Sequence, residues 1–229
     1  MAAILEVEVR VKLIVPVLNR YDLLNRMIES IDHPIETLLV IDNGAGLRAL
    51  DELGPECSND YVKQFHVLDL PHNLGISTSW NLGVKAFPFE SVFYFTSNDC
   101  VFQPGTLAKL EAESSTCDVT ISQLWPHWQL FSVGEEVFEN CGLFDEAIFP
   151  MNFEDDEFLW RVTEMGFNVK DADLPMQHDG QMTFKSNQHY ARRNTETYKA
   201  NEQYFRIKMH ERRLNAGEWS LKIRRTNHW

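Results

Sequence analysis

The chain has 229 residues, 44% of them hydrophobic and 24% charged, which is enough apolar material for one sizeable α/β domain and argues against global disorder. No stretch of about 18 apolar residues occurs, so no membrane-spanning helix is expected. Glu6, Glu8 and Arg10 interrupt the apolar N-terminal stretch, which does not suit a secretion signal, and a cytoplasmic protein is expected.

The net charge is −13, and it is uneven: ten of the 21 Lys/Arg but four of the 34 Asp/Glu fall from residue 191 onward. The acidic body disfavours broad binding to a phosphate backbone. The basic tail is either a solvated helix face or a surface that steers an anionic ligand. Cys57, Cys100, Cys117 and Cys141 form no C-x-x-C pair. Neither a zinc knuckle nor a disulfide framework is suggested, and buried free thiols are expected.

In chain order, Val11–Val15 is a short β-branched run, which predicts a buried strand. Tyr21–Ile31 places Leu23, Leu24, Met27, Ile28 and Ile31 at helical spacing. Thr37–Ile41 and Phe65–Leu70 read as strands, Ile76–Phe87 as a helix and Ser91–Thr96 as a strand. Pro104–Ala112 is expected to be a helix with proline at its start, and Val119–Ser122 a further strand. This alternation predicts a mostly parallel central sheet flanked by helices, whose ligands bind beyond the carboxyl ends of the strands. Asn19, Asp42, Asn43, Asn98 and Asp99 collect at those ends.

Beyond them, Trp125–Phe131 is aromatic and apolar, and Gly134–Gly142 reads as a turn. Glu154–Met165 and Thr195–Leu214 are expected helices, with a loose basic tail after Gly217. One domain is expected, in three stretches: about 1–122, 123–190 and a helical basic tail (191–229). No internal repeat or linker is evident.

Four constellations could carry chemistry, and each has a plainer reading. Ser97-Asn98-Asp99 follows an apolar strand; the carboxylate either holds a divalent cation or simply ends the strand in a turn. Glu154-Asp155-Asp156-Glu157 is either an acidic first helical turn, which a helix N-terminus favours, or a set from which one carboxylate takes a proton. His178 is either a metal ligand or an ordinary satisfied histidine. His72-Asn73-Leu74-Gly75 and Trp80-Asn81-Leu82-Gly83 are either loop chemistry or a ligand edge where glycine lets a backbone approach.

Taken in order, these segments resemble the family 2 glycosyltransferases of the GT-A fold, and in particular a rhamnosyltransferase-like branch. The resemblance runs over residues 11 to 210. It is carried by Val15-Pro16-Val17-Leu18-Asn19-Arg20, Val40-Ile41-Asp42-Asn43-Gly44, His72 to Gly83, and Thr96-Ser97-Asn98-Asp99 at the place of the D-x-D motif. It continues through Phe144-Asp145-Glu146, Phe153-Glu154-Asp155-Asp156 to Trp160-Arg161, His178-Asp179-Gly180, and Asn201, Tyr204 and Lys208.

The resemblance implies an inverting glycosyltransferase that uses a nucleoside-diphosphate sugar and Mn²⁺ or Mg²⁺. By it, Asp99 and His178 hold the metal and Asp155 is the general base. Glu154 or Asp156 shapes the base's surroundings or binds the acceptor. Pro16, Asn19, Asp42, Asn73, Gly75, Asn81 and Asn98 face the nucleotide sugar, with Asp42 on a uracil or thymine base.

Two departures from the family pattern stand out: Ser97 replaces the first carboxylate of D-x-D, and Lys208-Met209-His210 stands where many relatives have K-W-G. Ser97 is the one feature that favours a non-catalytic nucleotide-sugar or glycan-binding relative. A nucleotidyltransferase shares the sheet and metal logic, but the turn after the first strand carries no glycine. For the acceptor, a glycan or glycolipid headgroup is the first choice, with a protein or a modified nucleic-acid base as alternatives. Trp125 and Trp128 lie where acceptor-facing segments of the family sit, though aromatic rings equally fill cores.

Overall fold

Lys12–Val17 (β1) is built from β-branched and apolar residues that are almost all buried, as expected of a strand covered on both faces. In the computed structural model, which describes residues 11–44, 59–122, 127–180, 188–215 and 220–221, β1 pairs in parallel with Ile35–Asp42 (β2) and Val92–Thr96 (β4). Val62–Asp69 (β3) continues the parallel sheet beside β2. Asp118–Ser122 (β6), Leu130–Gly134 (β7) and Asn168–Ala172 (β8) complete a seven-stranded sheet of order β3-β2-β1-β4-β7-β6-β8. β7 runs antiparallel to both its neighbours. Cys100–Phe102 (β5) and Met176–His178 (β9) form a separate antiparallel pair.

Helices cover both faces. Tyr21–Glu29 (α1) and Thr106–Glu113 (α3) bury Leu24, Met27, Leu107 and Leu110 in one core. Ile76–Ala86 (α2), Glu135–Cys141 (α4) and Glu154–Glu164 (α5) bury Trp80, Val84, Phe138 and Phe158 in the other. That second core is dominated by rings: Phe95 stacks on Phe131 at 4.8 Å, and Trp80 meets Phe131 and Phe144 edge-on or tilted at 5.1 and 4.7 Å. Gly83 sits where a Cβ would come within 2.6 Å of the Ile14 side chain, so the second glycine of the paired N-x-G segments lets α2 press onto β1.

The mostly parallel α/β architecture agrees with the expectation, and the differences are local. The stretch expected as a turn, Gly134–Gly142, is the end of β7 followed by α4, with Gly142 at φ 78° beyond it. All five residues of β7 are buried, so the alternation that marks a strand is absent there. α3 begins at Thr106 rather than at Pro104, after Gly105 at φ 81°. Cys100 and Cys141 are buried as expected, but Cys117 is exposed on the turn before β6. Cys57, Trp125, Pro126 and the tail beyond residue 221 lie outside the described residues.

Gln188–His210 (α6) is fastened to the body by a buried charge network. Arg161 on α5 donates from Nε and Nη2 to the Glu157 carboxylate at 2.6 and 2.9 Å, and from Nη2 to the Leu143 carbonyl at 2.7 Å. Lys208 on α6 bridges Glu157 and Asp145, and Tyr204 donates to Asp145 at 2.9 Å. Two cations meet two anions, so the buried charges compensate one another. The network also holds the Asp145 carboxyl below its ordinary pKa: burial works to raise it, and the hydrogen bonds from Lys208, the Ala147 backbone and Tyr204, with the Lys208 charge, outweigh that.

Candidate active site

A cleft of about 790 Å³ opens beyond the ends of β1 and β4. One wall comes from the β1 end (Pro16, Val17, Leu18) and from Asn43, Asn73 and Gly75. Asn43 builds this wall. Its Oδ1 accepts from the Leu74 amide at 3.0 Å and its Nδ2 donates to Ser79 Oγ at 2.9 Å. Asn73 Oδ1 in turn accepts from the Gly75 amide at 2.8 Å. Gly75 has φ 87°, and a Cβ there would lie 2.9 Å from the Pro150 carbonyl oxygen. Glycine is therefore required where this turn meets the loop at Phe149 and Pro150.

The floor carries Ser97, Asn98 and Asp99. Ser97 Oγ donates to Asp99 Oδ1 at 2.5 Å, and His178 Nε2 lies 3.1 Å from the same oxygen. His178 is brought there by the β5–β9 pairing, which sets it opposite Cys100. Burial works to raise the Asp99 pKa, but the hydrogen bonds from His178 and Ser97 outweigh it and hold the carboxyl below its ordinary value. The group therefore stays ionised, as a cation ligand must.

The opposite wall is the start of α5. Asn152 and Phe153 both have φ 74°, an uncommon conformation for residues with side chains. The loop is held by Asn201 of α6, whose Nδ2 donates to the Phe149 and Met151 carbonyls at 3.1 and 2.9 Å. Glu154, Asp155 and Asp156 follow, all lining the cleft. Burial, reinforced by the Asp156 charge, pushes the Asp155 carboxyl up to about 6. Burial and the Asp155 charge push Glu154 well above the usual carboxylate range, and burial also raises Asp156. The fourth carboxylate, Glu157, belongs to the Arg161 and Lys208 network instead.

Of the residues singled out from the sequence, Pro16, Asn73, Gly75, Asn98, Asp99, Glu154, Asp155, Asp156 and His178 share this cleft. Asp42 is fully buried behind it, accepting from Tyr21 Oη at 2.9 Å and the Gly44 amide at 2.7 Å. Asn81 faces the interior, exchanging hydrogen bonds with the Phe144 backbone. Asn19 meets the site through its carbonyl, which accepts from Asn98 Nδ2 at 3.4 Å. Trp80 of the second N-x-G segment also lines the cleft, as do Gln129, Arg193, Asn194 and Tyr198, which sequence reasoning did not select. Trp80 stands inside the N-x-G segment, but nothing in the pattern says which way its ring turns.

The cleft is acidic. Asp99, Glu154, Asp155, Asp156 and Asp179 line it, against Arg193 and His178, and Asp179 is paired with Arg26 at 2.7 Å. Among the described residues, no group of three or more His, Cys, Asp or Glu side chains is placed to hold a metal ion. Asp99 and His178 form a two-residue set. That is compatible with a cation whose other ligands are phosphate oxygens and water, as is usual for Mg²⁺. Among the described residues, no helix is long and apolar enough to cross a membrane.

Residues 12–125 match the family model described as glycosyl transferase family 2. No curated protein matches the chain in sequence. Among solved structures, the chain is similar to the mannosyltransferase PcManGT from Pyrobaculum calidifontis in complex with GDP-Man and Mn²⁺ (16% identity, TM-score 0.57, 77% of this chain and 59% of that one). It is also similar to GalNAc-T7 with UDP, GalNAc and Mn²⁺ (14%, TM-score 0.62, 76% and 44%), and to the inositol-1-phosphate CTP transferase from T. maritima (13%, TM-score 0.52, 76% and 91%). The chain thus spans about half the length of the two sugar transferases. At these identities the likeness concerns the fold, which is GT-A.

Proposed function

We propose that this chain is an inverting, metal-dependent glycosyltransferase that moves a sugar from a nucleoside-diphosphate donor, a UDP- or dTDP-sugar, to an acceptor hydroxyl. The observation that carries the reading is the placement of two oppositely tuned carboxylates in one cleft. Asp99 is held ionised beside His178, and Asp155 is raised to about 6 at the opposite wall. A pKa near the working pH suits a general base, and a depressed one suits a cation ligand.

Electrostatics supports the same assignment. A donor diphosphate is anionic, and so is the cleft, so the two repel unless a cation lies between them. Mn²⁺ or Mg²⁺ on Asp99 and His178 would neutralise the diphosphate and the charge that grows on it as it leaves. Ser97 in place of a first acidic ligand leaves the metal with fewer protein charges, and its hydrogen bond instead orients Asp99.

Asp155 takes the proton from the acceptor hydroxyl. The acceptor oxygen forms a bond to the anomeric carbon as the bond from that carbon to the diphosphate oxygen breaks, and the diphosphate leaves with the electron pair. One base and one direct displacement invert the anomeric centre. Burial and the Asp155 charge also push Glu154 well above the usual carboxylate range. A glycan or glycolipid hydroxyl is the acceptor class we favour. The exposed Tyr198 ring tilts against Phe153 at 4.9 Å on the cleft's rim, which offers a sugar an aromatic face.

The test is product analysis with Mn²⁺ and a panel of UDP-, dTDP- and GDP-sugars. Release of nucleoside diphosphate supports the reading, with turnover lost in Asp155→Asn. Pyrophosphate made from a nucleoside triphosphate and a sugar phosphate would instead identify a nucleotidyltransferase.

A further inference from the structure

Among the described residues, Arg193, near the start of α6, is the one Lys or Arg side chain that lines the cleft. Every other described arginine is in an ion pair, including its neighbour Arg192, which holds Glu196 at 2.8 Å. Arg193 is in none among the described residues, although five carboxylates line the same cleft. The charges that act on Glu154 and Asp155 come from Asp155 and Asp156, not from Arg193. The guanidinium therefore stands apart from the acidic turn and is free to take an anion.

The position of Arg193 is fixed relative to Asp155. Asn194, next in the chain, accepts from Asn152 Nδ2, and Asn201 holds the Phe149 and Met151 carbonyls. Both tether α6 to the loop that leads into Asp155, and Tyr198 packs on Phe153 of that loop at 4.9 Å. Arg193 and Tyr198 thus belong to the wall that carries Asp155, whereas Asp99 and His178 belong to the floor. In the proposed reaction the donor diphosphate lies with the cation on Asp99, and the molecule that meets the base is the acceptor. A guanidinium is a planar fork of N–H donors that matches carboxylate or phosphate oxygens two at a time. A free one on the wall of the base, near a ring that can cover a sugar face, suits an acceptor that carries its own anion.

We propose that Arg193 and Tyr198 form the acceptor subsite and that the acceptor is an anionic sugar, with Tyr198 against its ring and Arg193 on a phosphate or carboxylate that it carries. This rests on the nucleotide-sugar reading above and narrows it: the glycan or glycolipid is read by a charge as well as by its ring. Arg193 is then a specificity-determining residue, because a neutral acceptor forfeits the charge-assisted pair.

Binding is measured on the protein saturated with Mn²⁺ and the nucleoside diphosphate it takes, so that the donor position is filled. The probes are hexoses, hexose phosphates and hexuronates, as matched neutral and charged sets. The wild type should bind at least one charged probe tenfold or more tightly than its neutral counterpart, and the margin should shrink as salt rises. The phosphate and uronate arms tell which anion is read. Arg193 is exposed, so Arg193→Gln should keep the wild-type melting temperature. It should bring the charged probe to within twofold of the neutral one, while affinity for the nucleoside diphosphate moves less than twofold. Arg193→Lys keeps the charge without the fork and should recover only part of the margin. Tyr198→Ala should weaken charged and neutral probes alike.

The inference is overturned if the wild type prefers no charged probe, or if the preference survives Arg193→Gln. It is also overturned if Arg193→Gln weakens the nucleoside diphosphate itself, which would give the arginine to the donor. Each of these results leaves the glycosyltransferase reading standing. A wild type that binds no nucleoside diphosphate and no nucleotide sugar with Mn²⁺ removes that reading, and the subsite with it.

Discussion

His178 Nε2 lies 3.1 Å from Asp99 Oδ1 although 79 residues separate them in sequence, because β9 pairs with β5 immediately after Asp99. The contact turns two ambiguous residues into one candidate cation site. His178→Ala should weaken the stabilisation that Mn²⁺ and a nucleoside diphosphate confer together, with Mn²⁺ half-saturation rising roughly tenfold or more. Thermal shift as a function of Mn²⁺ concentration checks this; an unchanged titration would remove His178 from the site.

Ser97 donates to Asp99 at 2.5 Å where a second carboxylate would face it. Ser97→Asp should therefore lower the metal-free melting temperature, because two carboxylates in contact repel. The same variant should tighten Mn²⁺ binding by roughly tenfold by adding a ligand charge. Melting curves with and without Mn²⁺ separate the two effects, which have opposite signs.

The pH dependence follows from Asp155. In the proposed mechanism the ionised form is the base, so turnover should fall as pH drops through about 6. Asp155→Asn should lower turnover by about 10²–10⁴ and abolish that limb. Stability should move the other way. A carboxyl whose folded pKa exceeds its unfolded value binds more protons when folded, so stability is lost as pH rises between the ordinary value of 3.8 and about 6. Asp155→Asn removes this loss, and its melting temperature should exceed the wild type's by more at pH 7.5 than at pH 4.5.

Lys208 is 1% exposed and bridges Asp145 and Glu157. Lys208→Met strands a buried negative charge and should cost about 3–5 kcal/mol, measured by denaturant unfolding. The same helix carries Asn201, which holds the loop before Glu154. The folded variant should therefore also lose turnover, even though Lys208 does not line the cleft.

The contrast between Asp155 and Glu157 shows how far the sequence reads. The acidic run was visible, and so was its placement at a helix start. That its second member faces a cleft while its fourth is spent on Arg161 and Lys208 depends on helical phase and on α6, which is distant in sequence. Phe144-Asp145, Arg161, Asn201, Tyr204 and Lys208 looked like successive motif elements. The structure joins most of them into one buried network and sets Asn201 against the loop before Glu154. β1 and β2 were legible because β-branched runs bounded by polar residues have few alternatives. β7 was not, because a five-residue strand buried on both faces has no period.

The most direct test of the account is donor binding with and without Mn²⁺, in the wild type and in Asp99→Ala. We predict that a UDP- or dTDP-sugar raises the melting temperature only when Mn²⁺ is present, and that Asp99→Ala abolishes the shift without unfolding the protein. Binding of no nucleotide sugar under any metal, or an equal shift in Asp99→Ala, would contradict the assignment of this cleft to metal-dependent glycosyl transfer.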